Sequence, residues 1–315
     1  MTRVIKKFGG TSLANEEKID LAVEKVIEDL KKGNEVIVVV SAMGRAGDPY
    51  ATDTLIGLLK DVSPKIDSQK QDLMMSCGET ISASLFAHYL DREGYSAVPM
   101  TGYSAGIYTD GNFGDARVID LDSARINQQI TRGKPVVLTG FQGRTVDGEL
   151  TTLGRGGSDT TALVVGQELN ADAVEIYTDV PGVAVADPDI VEDPRYFSKI
   201  SGKTLLQLAL NGTEVIHPRA AKIAVESKIP VKIKTARDGK RGTLVTDTES
   251  SSECPVGIAI KHGYTLLKGK SKEISRDPAL ESPEKEVFHV DGRKSVALVG
   301  AEEVLASNGY KKIND

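Results

Sequence analysis

The chain contains no tryptophan, and aromatic residues of all kinds make up only 5% of it, so large platforms for stacking bases are not expected. Its two cysteines, Cys77 and Cys254, are too few to frame a chain of 315 residues with disulfides, which points to a reducing compartment. No run of 18 apolar residues occurs, and the opening MTRVIKKFGG has no apolar leader segment, so neither a membrane span nor a secretory signal is expected. Basic residues number 39 against 45 acidic ones, a net charge of −6, which is the wrong balance for gripping a nucleic-acid backbone. These absences together predict a cytoplasmic protein that binds neither nucleic acid nor membrane. The familiar catalytic signatures are also missing. There is no P-loop, no GxGxxG opening a helix, no HRD and DFG pair and no HExxH. Four histidines, at 88, 217, 262 and 289, lie far apart without metal-ligand spacing. Each reads as structural, His88 within a helix and His217 ahead of Pro218 at a helix start, and no metal-ligand set is identified.

What is present is ordinary globular composition, 40% hydrophobic and 27% charged, in a length that suggests about two domains at roughly 150 residues each. Residues 3–8 read as a strand that ends in Gly9-Gly10. Asn15 is placed to cap a helix whose apolar residues recur with the 3.6-residue period from Ile19 to Leu30, and Gly33 to end it. The β-branched run at 35–40 has the composition of a strand buried on both faces of a parallel sheet. Further helices are expected at about 66–91, 122–132, 159–169, 201–210 and 218–227, and strands at 96–100, 135–139, 173–178 and 231–234. An Asp147-Gly148 turn predicts a hairpin within 141–153. Strand and helix in alternation predict an α/β fold, an open three-layer αβα sandwich with a mainly parallel sheet. A serine-rich stretch at 247–253 reads as a linker to a small α+β tail with short strands near 255–260, 264–268, 286–290 and 295–299, a charged loop at 269–285 and a helix at 301–308. The expected division is a body at 1–247 and a tail at 248–315.

Glycine, at 31 residues, is enriched and clustered where backbone must approach a ligand. Three clusters stand at strand ends or helix starts. In Lys7-Phe8-Gly9-Gly10-Thr11-Ser12 the glycine amides can turn towards an anion and Lys7 adds a point charge, although a plain strand-to-helix turn fits equally. In the segment from Thr151 to Thr161, two glycines precede a helix start with its unpaired amides. There Arg155 offers a planar fork for a carboxylate, and Asp159 is either a functional acid or a helix-end carboxylate. The third cluster, Tyr177-Thr178-Asp179-Val180-Pro181-Gly182, falls at the carboxyl end of a strand, where open α/β sheets bind ligands.

The combination is more specific than its parts. KFGGTS, SCGE at 76–79, TGFQG at 139–143, TTLGRGGSDTTA at 151–162, YTDVPG at 177–182 and ADP at 186–188 follow in this order. Over residues 3–247 the chain resembles the aspartokinases of the amino acid kinase family. The resemblance implies transfer of the γ-phosphoryl group of ATP to the β-carboxylate of L-aspartate, with Mg²⁺, as the first step towards lysine, threonine and methionine. It implies that Lys7 neutralises the transferring phosphate, with Gly9, Gly10 and Ser12 beside it, and that Asp159 organises the phosphate–Mg²⁺ region. By the same resemblance Arg155 holds the substrate carboxylate, with Thr52, Phe141, Gly156 and Ser158 around it, and Glu79 pairs with the ammonium group. Thr178, Asp179, Val183, Asp187 and Arg237 fall on the nucleotide side.

The sequence departs from the family pattern at Ala184, where a tyrosine is usual, at Val185, Glu214 and Arg237, and in its tail. The departure at Ala184 predicts weaker nucleotide binding. Most aspartokinases carry two ACT units, and residues after 250 hold at most one, a shortened ACT-like module or a packing appendage. A homodimer or higher homo-oligomer is expected. Other readings are a kinase for a different acidic amino acid and a nucleotide-binding regulatory partner with little catalysis.

Overall fold

A computed structural model of the chain describes residues 1–185, 188, 194–237, 242–247, 265–269, 286–290 and 294–299. The chain divides into two compact units, Met1–Ala259 and Ile260–Asp315. The first runs β1 (Arg3–Phe8), a 3-10 turn (Gly10–Leu13), α1 (Glu16–Leu30), β2 (Glu35–Val40), α2 (Thr52–Val62), α3 (Ser68–Arg92), β3 (Val98–Met100), β4 (Ile107–Thr109), β5 (Val118–Leu121) and α4 (Ala124–Thr131). It continues through β6 (Val136–Thr139), β7 (Gln142–Arg144), β8 (Leu150–Thr152), α5 (Gly157–Glu168), β9 (Ala173–Tyr177), β10 (Lys199–Ser201), α6 (Gly202–Leu210), α7 (Pro218–Ser227), β11 (Val231–Lys234) and β12 (Thr243–Thr246). In the second unit β13 (Thr265–Gly269), β14 (Glu286–Val290) and β15 (Lys294–Val299) form an antiparallel sheet in the order β13-β15-β14. The expected strand at 255–260 and helix at 301–308 lie outside the described residues, as do nearly all of the expected linker and charged loop.

Eight strands form the main sheet in the order β10-β12-β11-β9-β1-β2-β6-β3, parallel throughout except between β11 and β12. Alternation along the central strands decides the layers. Ile5, Ile37, Val39 and Leu138 face one core with Ile126 of α4, Leu163 of α5, Leu205 of α6 and Ala221 of α7. Phe8, Val36, Val38 and Val40 face the other, with Val23 and Val26 of α1 and Phe86 and Leu90 of α3. The result is the three-layer αβα sandwich. Helix α1 begins where the Asn15 side chain accepts the Lys18 amide at 3.0 Å and stops before Gly33, which takes φ +75°. The hairpin is formed by β7 and β8, with the Gly148 amide closing onto the Thr145 carbonyl at 3.1 Å. It belongs to a separate small sheet, β5-β4-β7-β8. Strand β3 is shorter than the apolar run suggests. It carries Pro99, which lacks a ladder donor and is tolerated because β3 lies at the sheet edge.

Two adjacent lysines occupy the central strand and point to opposite faces. Lys6 is only 2% exposed, and its Nζ lies 2.7 Å from Asp29 of α1 and 2.8 Å from Glu175 of β9. Lys234 reaches the other Glu175 oxygen at 2.9 Å. Burial pushes both carboxyls up, but Lys6 draws Asp29 down to about 2, and Lys6 with Lys234 draws Glu175 down to about 2. Both folded values lie below the ordinary ones, so this stabilisation is complete above about pH 4.5 and is lost as the pH falls towards 2. Replacing Lys6 with Met leaves two buried carboxylates short of a cation and should cost about 3 kcal/mol at pH 7. Urea unfolding at pH 7 and pH 3 checks this, because the gap to wild type should narrow at pH 3. A gap independent of pH would show that the cluster contributes packing rather than charge.

Candidate active site

The carboxyl ends of β1, β2, β6, β9 and β11 all open onto one edge of the main sheet, the edge at which open α/β folds bind ligands. Cavities open there, and two of them share the turn after β1 and the loop after β2. One, of about 490 Å³, is bounded by Lys7 and Gly10 after β1, Ser41, Ala42 and Gly44 after β2, Thr52, Met75 and Glu79 from α2 and α3, Phe141, and the segment from Gly154 to Asp159. The other, of about 380 Å³, is bounded by Thr11 and Ser12, Lys18, Arg45 and Asp48, Thr178 and Asp179, and Thr235 to Arg237.

The floor of the larger cavity is an ion pair. Lys7 Nζ lies 2.6 Å from Asp159 Oδ1, with both side chains largely enclosed. Asp159 stands in the first turn of α5, where the helix dipole favours a carboxylate. Glycine brings the helix start close. Gly156 takes φ +71°, and a Cβ there would fall 2.2 Å from the Cβ of His217. Gly10 is equally confined, because a Cβ would meet the Ala42 carbonyl oxygen at 2.5 Å and that of Gly44 at 2.7 Å. The loop after β2 therefore rests directly on the turn after β1. His217 caps α7 by accepting the Arg219 amide at 3.3 Å, and burial with the neighbouring Arg219 and Arg155 cations holds its imidazole below the usual range.

Side chains of opposite charge line the larger cavity. Glu79 is buried in α3, and one oxygen accepts the Ala42 amide at 3.0 Å. Its other oxygen, Oε2, is buried and meets no donor. Arg155, which lines the same cavity, is exposed and is in no ion pair among the described residues. Phe141 forms part of the wall in a left-handed conformation, φ +70°, held by its amide to Thr161 Oγ1 at 3.1 Å and its carbonyl to the Leu153 amide at 2.9 Å. Such a conformation costs a residue with a Cβ about 1–3 kcal/mol and persists where its surroundings over-determine it. Ser158 packs below against Gly140, where a Cβ would lie 2.7 Å away.

Of the residues singled out in the sequence, Lys7, Gly10, Thr52, Glu79, Phe141, Arg155, Gly156, Ser158 and Asp159 meet in the larger cavity. Ser12, Thr178, Asp179 and Arg237 meet in the smaller one. Two others bound neither cavity. The Gly9 amide is committed to the Tyr177 carbonyl at 3.2 Å, and Val183 is fully buried with its amide on Thr243 Oγ1 at 2.8 Å. Asp187 lies outside the described residues. Sequence reading missed Lys18 and the whole loop from Ser41 to Asp48. Its signal was available: Gly44 and Gly47, both at positive φ, follow the most apolar strand in the chain. No group of three or more His, Cys, Asp or Glu side chains able to cage a metal occurs among the described residues. No helix among them is long and apolar enough to cross a membrane.

Fold and site together define an α/β sandwich with adjoining cavities over the strand ends. More particularly, the chain belongs to the amino acid kinase family, whose model matches residues 2–235. It is 41% identical over 251 residues to aspartokinase 1 of Bacillus subtilis strain 168, which covers 80% of this chain and 62% of that protein. The chain thus spans a little under two thirds of the length of the curated relatives it matches. Among solved structures, the aspartate kinase from Synechocystis superposes with a TM-score of 0.69 at 29% identity, covering 97% of this chain and 53% of that one. The fold is shared with E. coli aspartokinase III in complex with aspartate and ADP, at a TM-score of 0.71 and 22% identity over 96% of this chain and 83% of that one.

Burial pushes the Glu79 carboxyl up to about 7 against the pull of the Ala42 amide. The unfolded side chain ionises near 4.5, so the protein loses stability as the pH rises from there to about 7, and then no further. At about 1.4 kcal/mol per pH unit the loss approaches ~3 kcal/mol. A Glu79→Gln variant should lack this loss and so gain on wild type between pH 5 and pH 8. Parallel stability profiles in urea would show that Glu79 is solvated.

Proposed function

We propose that the chain is an aspartate kinase, transferring the γ-phosphoryl group of ATP to the β-carboxylate of L-aspartate to give ADP and 4-phospho-L-aspartate. The observation that carries this reading is the placement of Lys7, paired with Asp159, in a cavity that also holds Arg155 and the undonated oxygen of Glu79. An amino dicarboxylic acid complements those groups: its ammonium group satisfies Glu79, and a carboxylate takes the fork of Arg155. The aspartokinase names of the curated relatives from Bacillus subtilis and Geobacillus stearothermophilus, and the aspartate and ADP in the E. coli structure, support the same substrates.

Phosphoryl transfer asks the protein for positioning and charge neutralisation rather than for a strong base. In this assignment Arg155, Glu79, Thr52, Phe141 and Ser158 orient aspartate so that its β-carboxylate faces the adjoining cavity. ATP occupies the smaller cavity, against Ser12, Thr178, Asp179 and Arg237, with its terminal phosphate directed towards Gly10 and Lys7. The β-carboxylate oxygen attacks the γ-phosphorus, the bond to the bridging oxygen breaks, and ADP leaves with that electron pair. Lys7 offsets the charge on the phosphoryl oxygens. A Mg²⁺ ion carried by the phosphates and water would need only one or two protein carboxylates, and Asp159, which lines the cavity, would supply one. When bound, the ion neutralises phosphate charge. By the same reading residues 1–247 are the catalytic body and 248–315 a small ACT-like or packing unit. The chain works as a cytoplasmic homo-oligomer, feeding lysine, threonine and methionine synthesis.

Trapping the acyl phosphate with hydroxylamine tests the reaction, with aspartate, glutamate and N-acetylated acids run in parallel. Hydroxamate formed with aspartate supports the reading; turnover only with another acid overturns the substrate, and no turnover overturns the reaction. An Arg155→Lys variant should raise the KM for aspartate about tenfold or more, because a point charge does not replace a two-pronged fork. Lys7→Ala should instead reduce kcat by roughly 10²–10³-fold, the usual cost of one group that stabilises transition-state charge. Steady-state kinetics separate the two, and a reversed KM and kcat pattern would exchange their roles.

A further inference from the structure

The loop after β2 carries a cation that the reaction described above does not use. Arg45 extends from it into the smaller cavity, 72% exposed, and its Nη2 lies 2.5 Å from Asp179 Oδ2, itself 46% exposed. The pair links the loop after β2 to the segment after β9, both of which line the cavity. Behind it the loop is anchored. The Gly44 amide donates to the Gly10 carbonyl at 3.0 Å, and the Arg45 amide donates to Asp48 Oδ2 at 2.8 Å. The backbone that presents Arg45 is therefore fastened to the glycine turn between the two cavities, while the guanidinium remains at the surface.

We propose that Arg45 is a phosphate-binding residue of the nucleotide cavity, which exchanges its contact with Asp179 for the phosphate chain when a nucleoside triphosphate binds. This inference rests on the nucleotide reading of the smaller cavity. An exposed ion pair contributes little, about 0–1 kcal/mol, so the contact to Asp179 is readily exchanged. A triphosphate offers several anionic oxygens, and an arginine fork bonds such oxygens in pairs. The arrangement also explains why a carboxylate and an arginine at the cavity mouth face each other. With Arg45 on Asp179, the positive charge lent to the cavity by Lys18 and Arg237 is not increased until a polyanion is present to use it. Because the other end of the loop gives its Ala42 amide to Glu79, ligands in the two cavities meet one and the same loop.

The test is direct binding of ATP and of adenosine to the full chain by calorimetry, for wild type, Arg45→Met and Arg45→Lys, with melting temperature as the folding control. Loss of a charge-assisted contact to phosphate should weaken ATP binding about tenfold in Arg45→Met and leave adenosine binding unchanged. Arg45→Lys should recover part of the loss, and the KM for aspartate should not move. ATP binding within twofold of wild type in Arg45→Met overturns the proposal, and so does an equal loss for adenosine. If the wild-type chain binds neither ligand, the nucleotide reading of the cavity fails with it. If wild type binds ATP and yields hydroxamate while Arg45→Met behaves identically, the assignment of Arg45 alone fails.

Discussion

A charged amine at the middle of a buried sheet constrains everything around it. Lys7 leaves the central strand on the α5 face, and Lys6 leaves it on the α1 face, so each needs an anion from the layer it enters. Asp29 and Glu175 meet Lys6 deep in the sandwich, where the pairing is permanent and structural. Asp159 meets Lys7 at the strand end, where the pair borders a cavity. For Asp159 to reach that far, α5 must begin immediately over the strand ends, and only a left-handed Gly156 and a side-chain-free Gly157 let it do so beside His217 and Phe141. Two neighbouring residues of one chemical type thus serve two ends, decided by depth.

The central strands were legible because burial on both faces writes itself as uninterrupted apolar sequence, as in residues 35–40. Helices with a capping side chain were legible at their starts, as at Asn15. Helix α2 was not read, and its features explain why. It begins at Ala51 without a side-chain cap and buries only Leu55, while Leu58 and Val62 face outward, so its apolar residues trace no buried face. Strands β4, β5, β10 and β12 are three or four residues long, too short for a periodicity to develop, and β12 depends on its pairing with β10 and β11 rather than on its own composition.

At the site, the segment from Gly154 to Asp159 was legible because consecutive residues share one task and several act through their side chains. The loop from Ser41 to Asp48 acts largely through backbone: Ala42 gives an amide to Glu79 and Gly44 gives one to Gly10. A backbone donor leaves no mark on residue type beyond the glycines that permit its geometry. The same reasoning applies in reverse to Gly9 and Val183, which lie in motif segments yet spend their amides inside the fold, on Tyr177 and Thr243. Membership of a motif fixes neighbourhood, while the direction of an amide is settled by the packing around it.

In the proposed function, Glu79 connects the stability of the protein to its choice of ligand. Burial disfavours its ionised form, one oxygen makes no hydrogen bond, and the carboxyl is held above the usual carboxylate range. A ligand bringing an ammonium group to that oxygen would restore the charged form and recover part of the penalty, which adds to its affinity. A ligand with a blocked amine would find the carboxyl neutral or leave it unpaired, and would gain nothing from it. In the proposed reaction this discrimination acts on the end of the substrate remote from the phosphoryl group. Recognition of the amine at Glu79 and neutralisation of phosphate at Lys7 are therefore assigned to different elements, α3 and β1, joined through the loop whose amide Glu79 holds.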